Sequence, residues 1–521
     1  MTIKRIILAI LTVISLIPVF LSLGSSLSEP QVQARLELYQ TNLVLQASEL
    51  AVKAGADSPV GQALLGSDPY GNASEQLQKA RQLAEKSRAQ LLSQRETLSA
   101  PVAIAPEGAD SQESPITVAS AVQSQRLQKE LTEIQGFIQE ITLKLGIVQA
   151  RRGEIEAALT TWEQIEPNPQ TPLSTVRGAR FLSSLWREPP VVLPDAEVEL
   201  SSSLQGWFRY QALQRLYQLE NRDDDLAALQ AEQAQAAETA LSKLGLIGGL
   251  PFLTRALLGY GIADFLLVQR LTAGEKAVLA ISGNLAWETP WSGEIIWQVL
   301  IVGFFLISQI LLPLLISLLG INLAGTSIRL QAFYVMATYL LVAVSGIAVL
   351  YFSIRGYRPL PRDWFRFRWL SPWLLWGLGG YAVAVPLVVV VSLLNQQIWQ
   401  GQGGSNPLLF LALQANDRLA LLIFFVTASI AAPIFEEIMF RGFLLPSLTR
   451  YLPVWGAIVV SSLIFSLAHL SLAEVLPLAI LGMVLAVVYT RSRNLLASIL
   501  LHSLWNSGTL VSLFVLGSGV S

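Results

Sequence analysis

The sequence predicts an all-α protein: a polytopic membrane helical bundle of about eight or nine transmembrane helices with an N-terminal, non-membrane α-helical, TPR-like domain. Three observations predict it. Apolar residues make up 52% of the chain and charged residues only 14%, against roughly a quarter charged in soluble proteins. From Leu244 onward, long apolar runs follow one another. Residues 27–243, by contrast, are polar and rich in good helix formers. The 521 residues divide into an anchor (1–26), a soluble helical domain (27–243), a first set of membrane helices (244–400) and a C-terminal core (401–521).

A formal net charge of −2 gives no electrostatic case for nucleic acid. Cysteine is absent, which excludes disulfides, thiol catalysis and Cys-ligated zinc.

At the N-terminus, Lys4 and Arg5 precede an apolar run, Ile6 to Leu23, and then Gly24-Ser25-Ser26. The run is as long as a full span, so an uncleaved signal anchor is expected in preference to a cleaved signal peptide. Glu75 to Glu96 is dense in Gln, Ala, Lys, Arg and Leu and reads as helix, and a Ser-, Ala- and Pro-rich loop is expected from about Ser99 to Ser120. Between Leu131 and Ile165, the residues Leu145, Gly146, Gly153, Ala158, Trp162 and Pro169 fall at nearly the offsets of a tetratricopeptide unit, with a weaker echo from Trp207 to Ala237. Small residues there let two helices approach while the aromatic fills the gap. A helical hairpin bundle and a peptide-binding solenoid both fit, and either could recruit a protein partner.

Apolar spans then follow near 244–268, 295–319, 331–353, 372–394, 418–445, 454–471, 474–490 and 496–517, the first interrupted by Arg255 and Asp264. Arg355, Arg358, Arg362, Arg366 and Arg368 lie in one loop, Arg450 in another, and Arg491 and Arg493 in a third. With nine spans and a cytoplasmic start, all three basic loops fall on the cytoplasmic side, and the helical domain falls on the opposite face.

The chemistry concentrates in three stretches. Glu436, Glu437 and Arg441 sit inside an apolar run, where ionisable groups are functional by default. On a helix Glu437 and Arg441 are i,i+4 neighbours fit for an ion pair, whereas Glu436 points about 100° away. Glu436 is therefore the free carboxylate. The chain's two histidines, His469 and His502, both follow in apolar runs, each sharing a helix face with a residue four positions away, Phe465 and Asn506. Counted from the turn near Tyr451 and Pro453, Glu436 and His469 reach similar depth, and His502 matches less well. Gly442, Ser466, Ser471, Ser503 and Ser507 read as close-packing positions rather than as the walls of a wet cavity.

In this order and spacing, EExxxR, FxxxH and HxxxN resemble the CPBP family of intramembrane proteases, which includes the type II CAAX prenyl endopeptidases. The resemblance covers about Leu411 to Gly508, roughly a fifth of the chain, and not the helical domain. It implies an endopeptidase acting on a membrane-associated peptide or protein. Glu436 and His469 would activate a water, His502 and Asn506 would stabilise the oxyanion, and Glu437 and Arg441 would support them. It also leaves a divalent metal open, with Glu436, His469 and His502 as the zinc set; metal-free activation is preferred because Asn506 is a poor zinc ligand. The alternatives are a non-catalytic membrane scaffold and a transporter. The scaffold has no need of the retained acids and bases, and the transporter would show a repeated half that this chain lacks.

Overall fold

The computed structural model describes residues 2–27, 32–54, 65–99, 115–165, 167, 172–253, 260–274, 277–278, 280, 285–320, 326–399, 401–405, 411 and 417–517. Their regular structure is helical, with no strand among the described residues. They form two compact units, Gln33–Gly248 and Met1–Val32 joined to Gly249–Gly517.

In the unit Gln33–Gly248, the helices Pro69–Ser99 and Pro115–Arg151 pack along each other, and Ile155–Glu163 folds back on the second. The helix from Pro115 occupies part of the stretch read as loop, and Pro169 lies outside the described residues. Gly153, at φ +84°, makes the turn between the paired helices. Trp162 then lies against Gly146 and donates its indole N–H to the Leu143 carbonyl at 3.0 Å. A Cβ on Gly146 would stand 2.3 Å from Trp162 Nε1, so the glycine is what allows this approach. Glu49 is buried at the centre of the unit, accepting from Trp207 Nε1 and Gln211 Nε2, both at 2.8 Å.

Among the described residues of the other unit are the apolar helices α1 (Ile3–Ser26), α2 (Gly293–Leu318), α3 (Ile328–Ile354), α4 (Trp373–Trp399), α5 (Arg418–Leu448), α6 (Val454–Leu467), α7 (Leu472–Ser492) and α8 (Leu495–Gly517). All but α6 are long and apolar enough to cross a membrane, and α6 has only 14 residues. The expected span at 244–268 falls partly outside the described residues; Tyr260–Thr272 is a helix of 13.

Polar contacts fix the two ends of this bundle. At one, Lys4 and Arg5 pair with Glu294 at 3.0 and 2.9 Å, and the Gly293 amide donates to the Tyr451 hydroxyl at 2.7 Å. Arg450 donates there to the Thr289 and Trp291 carbonyls, and Leu495 N–H to the Arg366 carbonyl. Lys4, Arg5 and the three basic loops therefore share one end. At the other, Arg329 pairs with Asp417 at 2.7 Å, Leu472 N–H donates to Ser26 Oγ, and Asn395 donates to the Ala473 carbonyl. So α1 and α2 run in the same direction, and the chain between them leaves at one end and re-enters at the other.

The basic end is closed by aromatic packing. Trp287, Trp291, Trp364, Phe443 and Tyr489 are buried together, with Trp291 against both Trp364 and Phe443. Gly442 lies in this layer, where a Cβ would stand 2.9 Å from Phe365, in keeping with a close-packing role.

Gly146→Ala is expected to destabilise the protein by about 1–3 kcal/mol through overpacking. Gly245→Ala, where a Cβ meets nothing within 4 Å, should instead stabilise its helix by up to about 1 kcal/mol. Thermal unfolding in detergent, followed by tryptophan fluorescence, checks both.

Candidate active site

The two glutamates sit on one α-helical turn of α5, Ala432–Glu437, between two wider π-helical turns, Thr427–Ala431 and Ile438–Leu444. Such turns often occur at functional sites because they re-aim side chains and free carbonyls from the helical ladder. Adjacent residues diverge by about 100° around a helix. Glu437 accordingly points into the packed core, with its side chain 0% exposed, and Glu436 points elsewhere with 15% exposed.

Glu437 Oε1 accepts from Arg441 Nη1 at 2.9 Å and stands 3.0 Å from His502 Nδ1. Arg441 Nη2 donates to the Gly482 carbonyl at 3.1 Å, and its guanidinium lies 4.3 Å over the Phe465 ring. Taking these charges out of water costs several kcal/mol per ion, offset only by good geometry and further hydrogen bonds. The cluster supplies both: an i,i+4 pair, a third polar partner on α8 and a cation–π contact.

Glu436 is held differently. Its Oε1 accepts from the Tyr339 hydroxyl on α3 at 3.0 Å, and its Oε2 lies 3.9 Å from His502 Nε2. Oε2 is buried without a hydrogen-bond partner. His502 thus stands between the two carboxylates, one ring nitrogen towards each.

His469 follows the end of α6, in a turn where Leu470 adopts φ +59°. Its Nδ1 lies 2.9 Å from the Phe465 carbonyl, and it makes no hydrogen bond or ion pair with Glu436. Phe465 packs edge-on to both imidazoles, with centroids 4.9 Å from His469 and 5.7 Å from His502. Asn506 Nδ2 donates to the Ala428 carbonyl at 2.7 Å, within the first π turn.

Sequence spacing identified the Glu437–Arg441 pair and the separate direction of Glu436. It gave His502 the poorer depth match, whereas His502 is the histidine that stands at the glutamates. The helix α8 does not start at the rim of the bundle: Leu495 is fully buried and packs on Gly442. From that level Glu436 is six residues along α5 and His502 seven along α8. Tyr339 was missed. Its signal was a phenol inside an apolar helix, which needs a partner when buried. Among the described residues, no group of three His, Cys, Asp or Glu side chains is placed to hold a metal ion. The set Glu436, His469 and His502 is therefore not assembled as ligands here.

Residues 418–508 match the family model for type II CAAX prenyl endopeptidase Rce1-like proteins. The chain is 28% identical over 225 residues to a membrane-embedded CAAX protease, MroQ, of Staphylococcus aureus, covering 40% of this chain and 87% of that one. It is 25% identical over 134 residues to a putative membrane peptidase, YdiL, of Bacillus subtilis, covering 26% of this chain and 54% of that one. No solved structure matches it significantly. The C-terminal part of the chain carries an Rce1-like domain, and the protein is an integral, multi-pass membrane protein.

Arg441→Ala leaves Glu437 buried without its cation and is expected to cost about 3–5 kcal/mol of stability. Replacing both partners, Arg441→Met with Glu437→Gln, should recover much of that loss. Thermal unfolding of the purified variants in detergent gives the comparison.

Proposed function

We propose that the Rce1-like domain at residues 418–508 makes this protein an intramembrane endopeptidase that hydrolyses a peptide bond of a membrane-associated peptide or protein. The observation that carries the reading is the place of His502 between two carboxylates of different character, Glu437 ion-paired to Arg441 and fully buried, Glu436 without a cationic side chain of its own and partly exposed.

Roles follow from the hydrogen bonds. The Phe465 carbonyl can only accept, so the His469 proton sits on Nδ1 and the Nε2 lone pair is free to take a proton from water. Glu436 Oε2, unpartnered, is the second group on that water. Attack on the scissile carbonyl gives a tetrahedral oxyanion, and the proton taken from the water passes to the leaving amine. Glu437 accepts from His502 Nδ1, which turns Nε2 towards the reacting centre. From that position the Nε2 edge of the ring faces the oxyanion as it forms. The second amide hydrogen of Asn506, beyond the one on Ala428, supplies another oxyanion donor.

Orientation follows from the chain path. Basic loops favour the cytoplasmic side, which assigns the end carrying Lys4, Arg450 and Arg493 to the cytoplasm. The chain between α1 and α2 then leaves on the extracytoplasmic side and returns through an odd number of crossings. The apolar composition of 244–268 suits one such crossing, which would put the polar helical unit on the extracytoplasmic side, where it could bind a protein partner.

Two experiments test this. Glu436→Gln and His469→Ala should each lower the turnover of a cleaved peptide by about 10²–10⁴-fold, whereas a strong chelator should leave the parent rate unchanged; equal rates in parent and variants contradict the hydrolytic reading. Because the chain has no cysteine, single-cysteine labelling is free of background. Ser202→Cys should react with an impermeant maleimide in intact cells and Arg362→Cys only after permeabilisation, and the reverse pattern contradicts the orientation.

A further inference from the structure

The carboxylate assigned to water activation is the less well held of the two. Glu437 has Arg441 and His502 on one oxygen. Glu436 has a single hydrogen bond, from Tyr339, and His502 Nε2 at 3.9 Å is too distant to be a second.

We propose that Tyr339 is a positioning residue of the hydrolytic site: its hydroxyl holds Glu436 Oε1 so that Oε2 stays open beside His502 Nε2. The proposal rests on the reading of Glu436 as a water-activating group.

Three observations carry it. Tyr339 comes from α3, outside the three motif-bearing stretches, so its contact with Glu436 is tertiary and not a by-product of helix periodicity. Its neighbour Thr338 satisfies its own hydroxyl on the Tyr334 carbonyl, one turn back. A phenol oxygen extends too far from the backbone for that local solution and must find its partner on another helix. The ring is also clamped: it packs edge-on against Phe435, at 6.2 Å and 85°, and Phe435 in turn stacks with Phe304 of α2. Any rotation of the Glu436 side chain thus works against a hydroxyl anchored to two further helices. A carboxylate with one oxygen tethered and the other free is pre-organised for a water, which is how positioning groups contribute to rate.

The test uses the full-length protein in detergent micelles and a library of internally quenched peptides, with Tyr339→Phe, Tyr339→Leu and Glu436→Gln compared with the parent. The Phe variant keeps the ring against Phe435 and removes only the hydroxyl. Tyr339→Phe and Tyr339→Leu are expected to lose kcat alike, by roughly ten- to a hundredfold, the range for one hydrogen bond to a charged group. KM should stay within about twofold, as for an interaction that acts on the chemical step. A packing role predicts parent-like kcat for Tyr339→Phe and loss only for Tyr339→Leu, and that result overturns the inference while leaving the hydrolytic site standing. Unimpaired cleavage by Glu436→Gln, or no cleavage by the parent, overturns the functional reading and this inference with it.

Discussion

A buried charge has to be neutralised where it lies, and the membrane-helical unit of this molecule is organised by that constraint. Glu437 and Arg441 are fully buried in a bundle whose outer face is apolar. In a low-dielectric interior such a pair persists only when the remaining lone pairs and protons are also matched. Arg441 therefore reaches the Gly482 carbonyl on α7 and the face of Phe465 on α6, while Glu437 reaches His502 on α8. One ion pair thereby ties together four helices. Truncating either partner would be felt along every element it touches.

The same constraint separates two adjacent, chemically identical residues. Paired through Oε1 with both Arg441 and His502, Glu437 is part of the scaffold and sets the orientation of His502. Glu436, one step round the helix, has no arginine partner, is held by Tyr339 alone and is partly exposed. The π turns on either side of the pair allow this divergence in a crowded region. They also leave the Ala428 carbonyl to be met by Asn506, so the carboxamide both repairs the backbone of α5 and stays at the edge of the cluster. Below the site, tryptophans and phenylalanines fill the basic end. The half-exposed members, Glu436, His469 and Asn506, lie above that seal.

Much of this was legible in the sequence, for physical reasons that can be named. Apolar runs of span length have few alternatives to membrane helices, and seven of the nine expected spans recur as helices long enough to cross. The approach of Trp162 to Gly146 was written in small and large residues at fixed offsets, and the structure shows the contact. The Glu437–Arg441 pair followed from helical periodicity alone. What spacing could not convey was where each helix begins. Because α8 starts level with Gly442, inside the bundle, a depth count made from loop to loop made His502 match the glutamates less well than it does. Nor could it convey Tyr339, whose link to Glu436 spans 97 residues and obeys no local period.

The central claim is that an open carboxylate oxygen on Glu436 and the ring of His502 face the same reacting atom. A structure of the protein bound to a peptide carrying a tetrahedral hydroxyl isostere at the scissile position addresses this most directly. The isostere oxygens are expected within hydrogen-bond reach of Glu436 Oε2 and His502 Nε2. An isostere seated away from both groups, with the Glu436 side chain turned to lipid, would contradict it.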